Sequence, residues 1–331
     1  MTTAMFREAT EAGEKIKQQL LENDSLTSEI AHRIKSNNPQ FVVMVGRGSS
    51  DHAALFAKYL IEIETGLPVV SAAPSVASTY KVPLQLECAV VIVISQSGRS
   101  PDLIEYISMA RTQGAQTIAI VNDSGSPLAE AAHHVLPLMV GQETAVAATK
   151  SYLGSLSALI QLVSKIADNQ DLTSAVAQIP DALASAVESP AQLLHENLAN
   201  VDHCVVTGRG FGFAIGTEMA LKLKEVCAIQ AECFSSAEFL HGPVRIVSDN
   251  FHVLDILVVD ETYDMHQPQS EQLVRRGAIV TSQQCDATWI HPRIQPIAIM
   301  QRFYLDLEVI GRAMGFNPDK PEGLSKITET L

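Results

Sequence analysis

Three stretches of the sequence carry side chains that could do chemistry. The first is Ser95-Gln96-Ser97-Gly98-Arg99-Ser100-Pro101-Asp102, which follows the apolar run AVVIVI and leads into a helical stretch. Ser100 suits an N-cap and Pro101 the first helical position, so capping accounts for those two. It does not account for Ser95, Gln96 and Ser97, three hydrogen-bonding side chains beside backbone N–H groups and the positive end of a helix dipole. Together they make a cradle sized for a single phosphate. The second stretch, Gly46-Arg47-Gly48-Ser49-Ser50, also closes an apolar run, and Ser49 could add a hydroxyl there. Its G-x-G lacks the third glycine of a dinucleotide-binding loop: Asp51 stands in that place and would set a negative charge near a pyrophosphate. Glycines needed for a tight turn and close helix packing are the plainer reading.

The third stretch is Lys222-Leu223-Lys224-Glu225. Lys222 and Glu225, three apart, share a helix face, whereas Lys224 points elsewhere. Most such pairs are solvated surface salt bridges. Here Met219, Ala220, Leu221, Leu223, Val226 and Ala228 make the helix partly buried, and a carboxylate in such a setting is a candidate for acid–base work. His241 precedes Gly242-Pro243, a loop signal. A lone loop histidine is a catalytic candidate only with support from other residues.

The elements that must position these groups follow from the hydrophobic pattern. Short continuous β-branched runs, FVVMV, AVVIVI and TIAIV, alternate with helical stretches from about Phe41 onward. That order predicts βαβ units and a parallel sheet covered on both faces. A long apolar helix, SYLGSLSALIQLVSKIA, closes the first half. A helical linker with Pro180 and Pro190 runs to about Ala199, and then the pattern restarts: Gly46, Arg47 and Gly48 correspond to Gly208, Arg209 and Gly210 at an offset of 162. The simplest reading is one α/β fold built twice. At the place that matches the serine loop the second half reads LVVDETYD, with acidic residues instead of serines, so only the first half is expected to hold a phosphate.

Composition agrees with a large buried core and disfavours several classes. Of 331 residues, 47% are hydrophobic and 18% charged, which argues against disorder. The net charge of −14, with no basic stretch interleaved with aromatics, argues against nucleic-acid binding. The N-terminus lacks the pattern of a secretion signal, and no apolar run reaches the roughly 18 residues needed to span a bilayer. A cytoplasmic location without membrane contact is the expectation. Cys88, Cys204, Cys227, Cys233 and Cys285 show no C-x-x-C pair and no metal-ligand spacing, and read as reduced core thiols.

Taken together, these residues resemble the sugar isomerase (SIS) family, the tandem phosphosugar-binding domains of the isomerase half of glutamine:fructose-6-phosphate amidotransferase. The resemblance runs from about residue 30 to the C-terminus. Gly46-Arg47-Gly48-Ser49 is similar to the family's C-G-T-S corner and Ser95-Gln96-Ser97-Gly98 to its S-Q-S-G loop. Glu143 to Lys150, ETAVAATK, is similar to E-x-x-V-A-S-T-K. Leu221 to Glu225 and Glu238 to Pro243 resemble L-K-L-K-E and E-x-x-H-G-P, and the tail from Pro318 through Lys326 resembles the P-D-x-P and L-x-K ending.

The resemblance implies an α/β fold of two tandem SIS domains, each a parallel five-stranded sheet flanked by helices. The expected boundaries are an N-terminal helical segment 1–30, a phosphate-binding domain 31–168, a helical linker 169–199, a second domain 200–315 carrying the catalytic Glu and His, and a tail 316–331 over the active site. It further implies that Ser49, Ser95, Gln96, Ser97 and Ser100 hold the sugar phosphate, with Gly48 and Val146 as further substrate contacts. His241 would open the sugar ring from the neighbouring subunit of a homodimer with a shared active site. Glu225 would move the proton between C1 and C2, Lys222 would set its charge, and Lys326 would lie close to the sugar oxygens. Neither a cofactor nor a metal is implied.

Departures from the family pattern sharpen the expectation. The amidotransferase opens with a glutaminase domain, whereas here Met1-Thr2-Thr3 leads directly into the sugar domains. Without a protected ammonia supply the chemistry would run toward release, which implies a glucosamine-6-phosphate deaminase giving fructose 6-phosphate and ammonia. Arg99 follows S-Q-S-G where the amidotransferase has a glutamate, and Arg47 replaces a threonine, both adding positive charge beside the phosphate. Rival readings are a deglycase acting on phosphorylated fructosamines, a galactosamine-6-phosphate specificity, and a non-catalytic sugar-phosphate sensor. The joint presence of Glu225, His241 and Lys326 argues against a sensor, which needs only the serine loop.

Overall fold

The structure is a computed structural model that describes residues 2–326. The chain forms two compact units. One comprises Glu14–Glu143 and Lys150–Ala177. Its strands β1 (Phe41–Val45), β2 (Val69–Ser71), β3 (Ala89–Ser95), β4 (Gln116–Val121) and β5 (His134–Pro137) form a five-stranded sheet in the order β2-β1-β3-β4-β5, parallel throughout. The continuous apolar runs are explained by burial on both faces: all seven residues of β3 and all six of β4 are buried. The helix Lys150–Ile166 is buried along almost its whole length, as its apolar sequence predicts.

The other unit comprises residues 2–13, Thr144–Thr149 and Gln178–Lys326. Its strands β6 (His203–Gly208), β7 (Gln230–Ser235), β8 (His252–Leu257) and β9 (Ile279–Gln284) form a parallel sheet in the order β7-β6-β8-β9. This corrects the expectation of five strands in each half: among the described residues the second sheet has four. The physical reason is visible after β9. Where the first sheet gains β5, residues 285–294 read CDATWIHPRI, with polar residues and Pro292 in place of a continuous apolar run, and the chain turns directly into the helix Gln295–Ala313.

Element borders in the two units repeat with the shift read from the sequence. The helix Ser49–Thr65 maps onto Phe211–Cys227, and Pro101–Thr112 onto Tyr263–Arg275 with one extra residue. The glycines explain themselves at the corners. Gly48 (φ 54°, ψ −129°) and Gly210 (φ 53°, ψ −119°) share a conformation that side chains rarely adopt. A Cβ on Gly46 would stand 2.6 Å from the backbone of Ser50, and one on Gly208 2.4 Å from that of Gly212. These are the close strand-to-helix approaches that the glycine reading anticipated.

The N-terminal helix Ala4–Thr10 is tied down within its own unit. The Asp319 carboxylate accepts hydrogen bonds from the Ala4 and Met5 amides, both at 2.8 Å, where the helix dipole favours negative charge. Glu8 accepts from the Thr144 amide (2.6 Å), the Thr144 hydroxyl (2.7 Å) and the Ala145 amide (3.1 Å). All five cysteines are free. Cys204 and Cys227 are the core thiols expected, their acidity pushed to about 12 by burial, whereas Cys88 is exposed and Cys233 and Cys285 are half-buried. No helix among the described residues is long and apolar enough to cross a membrane.

The close approach at Gly208 gives a direct check. Gly208→Ala must push helix backbone aside and should destabilise the protein by about 1–3 kcal/mol. A thermal melt reads this, and an unchanged melting temperature would contradict the packing described.

Candidate active site

The serine loop lies where the carboxyl end of β3 meets the helix Pro101–Thr112. Ser95 closes the strand, and its hydroxyl accepts from the Gly98 amide at 3.1 Å; the Ser97 hydroxyl accepts from the Arg99 amide at 3.3 Å. These short bonds curl the chain back on itself. Gly98 sits at φ 63°, and a Cβ there would stand 2.1 Å from the Ser126 hydroxyl, so the residue must be glycine for the loop to close. Ser100 occupies the N-cap position with Pro101 next to it, as expected, but its hydroxyl makes no capping bond. Because β1 and β3 pair along their length, Gly48 and Ser49 stand at the same edge of the sheet. The unit therefore gathers Gly48, Ser49, Ser95, Gln96, Ser97 and Ser100 at the carboxyl end of two adjacent strands, where parallel sheets bind ligands.

The two arginines at this edge are already engaged. Arg47 donates through Nε (2.8 Å) to Asp102 Oδ2 and pairs with the same oxygen through a terminal nitrogen (2.7 Å), and the Asp102 side chain is fully buried. Arg99 pairs with Asp123 at 2.8 Å. The expectation that both bring net positive charge is thus corrected: each guanidinium is balanced by a carboxylate of its own unit. Asp51 follows at the start of the helix Ser49–Thr65. Burial pushes its carboxyl above the usual range, while His52 and Arg47 oppose that shift.

The acid–base candidates lie in the other unit, on the helix Phe211–Cys227. Lys222 is 1% exposed, and its ammonium pairs directly with Glu225 Oε2 on the same face and with Glu218 Oε1 at 3.5 Å one turn earlier. Tyr304 donates its phenol hydrogen to that Glu218 oxygen at 3.2 Å. Glu218 is fully buried, but the Glu225 side chain keeps 22% exposure. One carboxylate is locked inside and the other reaches out. Lys224 turns away and donates to the Ala231 carbonyl at 2.9 Å, as its spacing predicted. Glu218 and Tyr304 were missed in the sequence. The signal for Glu218 was available, since it stands four residues before Lys222, but nothing local points to Tyr304, 86 positions away.

His241 is exposed, in a turn after the short helix Ser236–Phe239, and its amide donates to the Glu238 carbonyl at 3.0 Å. Its ring makes no hydrogen bond among the described residues. Lys326 donates to the Ala145 carbonyl at 2.7 Å, and the Val146 amide donates to the Asp319 carbonyl at 3.0 Å. The structure thus brings Val146 and Lys326 together in one cluster and Lys222 and Glu225 in another. The last part of the expected tail, residues 327–331, lies outside the described residues.

At the corner matching the serine loop, the second unit has turned its chemistry round. Glu261 is bound by both terminal nitrogens of Arg293 (2.7 and 2.8 Å), which holds its carboxyl down at about 2. Asp260 accepts from the amide (2.8 Å) and hydroxyl (2.6 Å) of Thr262. The Arg293 guanidinium also lies 5.3 Å from the ring centre of Phe211, the residue that replaces Ser49. Carboxylates and the chain's own cation occupy the place where an anion would sit.

A family model described as the SIS domain matches residues 37–165. Among curated proteins, glutamine–fructose-6-phosphate aminotransferase (isomerizing) of Symbiobacterium thermophilum is 29% identical over 310 residues, covering 86% of this chain and 51% of the relative. The chain spans about half the length of the curated relatives it matches. A solved structure from Silicibacter pomeroyi, provisionally named a phosphosugar isomerase, is 34% identical with a TM-score of 0.90, covering 96% of this chain and 100% of that one. Glucosamine-6-phosphate deaminase of Thermotoga maritima shares the fold at 21% identity, with a TM-score of 0.79 over 99% of this chain and 100% of that one.

The buried cluster makes a prediction that needs no substrate. Lys222→Met strands the Glu218 carboxylate in the interior and should destabilise the protein by about 3 kcal/mol or more. Glu225→Gln, at a partly exposed end of the same row, should cost far less. Chemical denaturation of both variants checks the ranking, and equal losses would contradict it.

Proposed function

Because this chain belongs to the SIS family, we propose that it is an amino-sugar-phosphate deaminase that converts glucosamine 6-phosphate and water into fructose 6-phosphate and ammonia. The observation that carries the reading is the carboxylate of Glu225, partly open to solvent and paired with the buried ammonium of Lys222. Aldose–ketose interconversion needs one such base, an acid–base group to open the ring, and an anchor for the far end of the substrate. In this reading Ser49, Ser95, Gln96, Ser97 and Ser100 anchor the phosphate, with Gly48 and Val146 as further contacts. The attraction is local, from hydroxyls and the helix N-terminus, against the net charge of the chain.

His241 takes the proton of the anomeric hydroxyl and delivers one to the ring oxygen, giving the open aldehyde. The Glu225 carboxylate removes the proton from C2 while the aldehyde oxygen takes one from the ammonium form of the substrate's 2-amino group, which creates an enolamine. Protonation at C1 by the same group yields the C2 imine with a C1 hydroxymethyl. Water adds to the imine carbon, ammonia leaves, and the ketone of fructose 6-phosphate remains. Lys222 pairs with Glu225 and orients its carboxylate toward the substrate, and Lys326 lies against the sugar oxygens. Ammonia is dilute and water abundant, so the net direction is release.

His241 serves a second copy of the chain in this reading, which makes the working unit a homodimer. The exposure of His241 leaves its ring open to a second copy. The test is ammonia release from glucosamine 6-phosphate, where Glu225→Gln should lower kcat by about 10²–10⁴-fold while the sugar phosphate still binds. A wild-type protein that binds the sugar phosphate but releases no ammonia would leave a sensor rather than an enzyme. Mixing Glu225→Gln with His241→Ala chains should restore part of the activity, and verified mixed dimers without recovery would rule out a shared site.

A further inference from the structure

A second polar cluster lies buried in the unit that carries Glu225, and the proposed chemistry makes no use of it. Thr207 on β6, Asp255 on β8, His266 on the helix Tyr263–Arg275 and Ser236 at the start of the helix Ser236–Phe239 are all buried. The Thr207 hydroxyl donates to Asp255 Oδ1 at 2.6 Å, and His266 Nε2 stands 3.1 Å from the same oxygen. Shifted by 162 positions, the three residues Thr207, Asp255 and His266 correspond to Val45, Val93 and Ile104, which belong to the apolar core of the other unit. Polarity here is therefore not demanded by the fold.

It is also costly. Asp255 Oδ2, both ring nitrogens of His266 and Ser236 Oγ are buried without a hydrogen-bond partner among the described residues, Nε2 lying 3.1 Å from Asp255 Oδ1 without the angle of a hydrogen bond, and each such group carries a desolvation penalty. A serine, a histidine and an aspartate together suggest a nucleophile, but the adjoining cavity is only about 10 Å³, the size of one water and not of a substrate. Its lining includes Thr207, Ser236, Phe239, Leu240, His266 and Gln269. Two of these, Phe239 and Leu240, immediately precede His241, and Gln269 Oε1 is a further buried acceptor without a partner.

We propose that one water in this cavity links Ser236 to the Asp255–His266 pair, and that this network positions the segment 236–246 and with it His241. The part concerning His241 rests on the function proposed above. A buried, satisfied polar network fixes one arrangement of the backbone above it, whereas an apolar core of equal volume allows several. Asp255, His266 and Ser236 are thus positioning residues that never touch substrate.

The test replaces the network by the apolar set of the other unit, T207V/D255V/H266I, beside the milder Ser236→Ala. The triple variant should melt at or above the wild-type temperature, because replacing a buried pair by apolar groups is often neutral or stabilising. Amide hydrogen exchange across residues 236–246 should nevertheless rise about tenfold in it, the worth of one net buried hydrogen bond. For ammonia release kcat should fall by a similar factor with KM unchanged, and Ser236→Ala should move both readouts the same way by less. Unchanged exchange in whichever of the two variants folds would overturn the network, and raised exchange with unchanged kcat would overturn its link to His241. A high-resolution crystal structure without a water on Ser236 Oγ would overturn the bridge. Exchange and melting need no substrate, so a wild-type protein that releases no ammonia would end the deaminase reading while leaving the network to be judged by them.

Discussion

The placement of Lys222 constrains the chemistry of this protein more than any other single contact. An ammonium at 1% exposure is tolerable only if it is paired, and two carboxylates of its own helix do this, one turn to either side. The inner carboxylate, Glu218, is fixed by Tyr304 as well, so the ammonium cannot follow a moving partner. Glu225 is therefore held at a set position, with 22% of its side chain still exposed. Helix periodicity supplies the geometry: positions 218, 222 and 225 fall on one face.

The two units show how one backbone corner can be given opposite chemistry. In both, an apolar strand ends in a close glycine approach, and a second glycine at positive φ starts the helix. In one unit the adjacent loop is Ser95-Gln96-Ser97-Gly98, polar, curled by its own hydroxyls and flanked by arginines that are already neutralised. In the other the same corner holds Asp260 and Glu261, with Arg293 bound against Glu261 and Phe211. An anion arriving there would have to displace the chain's own carboxylate from Arg293. The difference between the two corners is thus a matter of side chains, not of fold.

Much of the architecture was legible because parallel strands buried on both faces are written as apolar runs, as β1 is throughout and β3 is up to Ser95, whereas β6 and β8 keep the pattern with Thr207 and Asp255 interrupting it. The fifth strand expected in the second half came from the resemblance to the family, and the local sequence after β9 does not support it. At the candidate site, the Lys222–Glu225 row was readable from spacing, and so was the glycine requirement at the corners. Arg47 was misjudged because its partner, Asp102, lies 55 positions away across a strand. The tie between Glu8 and residues 144 and 145 is likewise non-local and leaves no periodic trace. The roles expected of the serines, His241 and Lys326 come from resemblance to the family, because residues spread over more than 200 positions leave no local pattern that joins them.

In the proposed reaction Glu225 takes the proton from C2 of the sugar. Glucosamine 6-phosphate carrying deuterium at C2, followed by NMR under single-turnover conditions, measures this step before ammonia leaves. The wild type should strip the label from C2, and Glu225→Gln should bind the sugar phosphate while the label stays in place. Removal of the label by the glutamine variant at the wild-type rate would contradict the account.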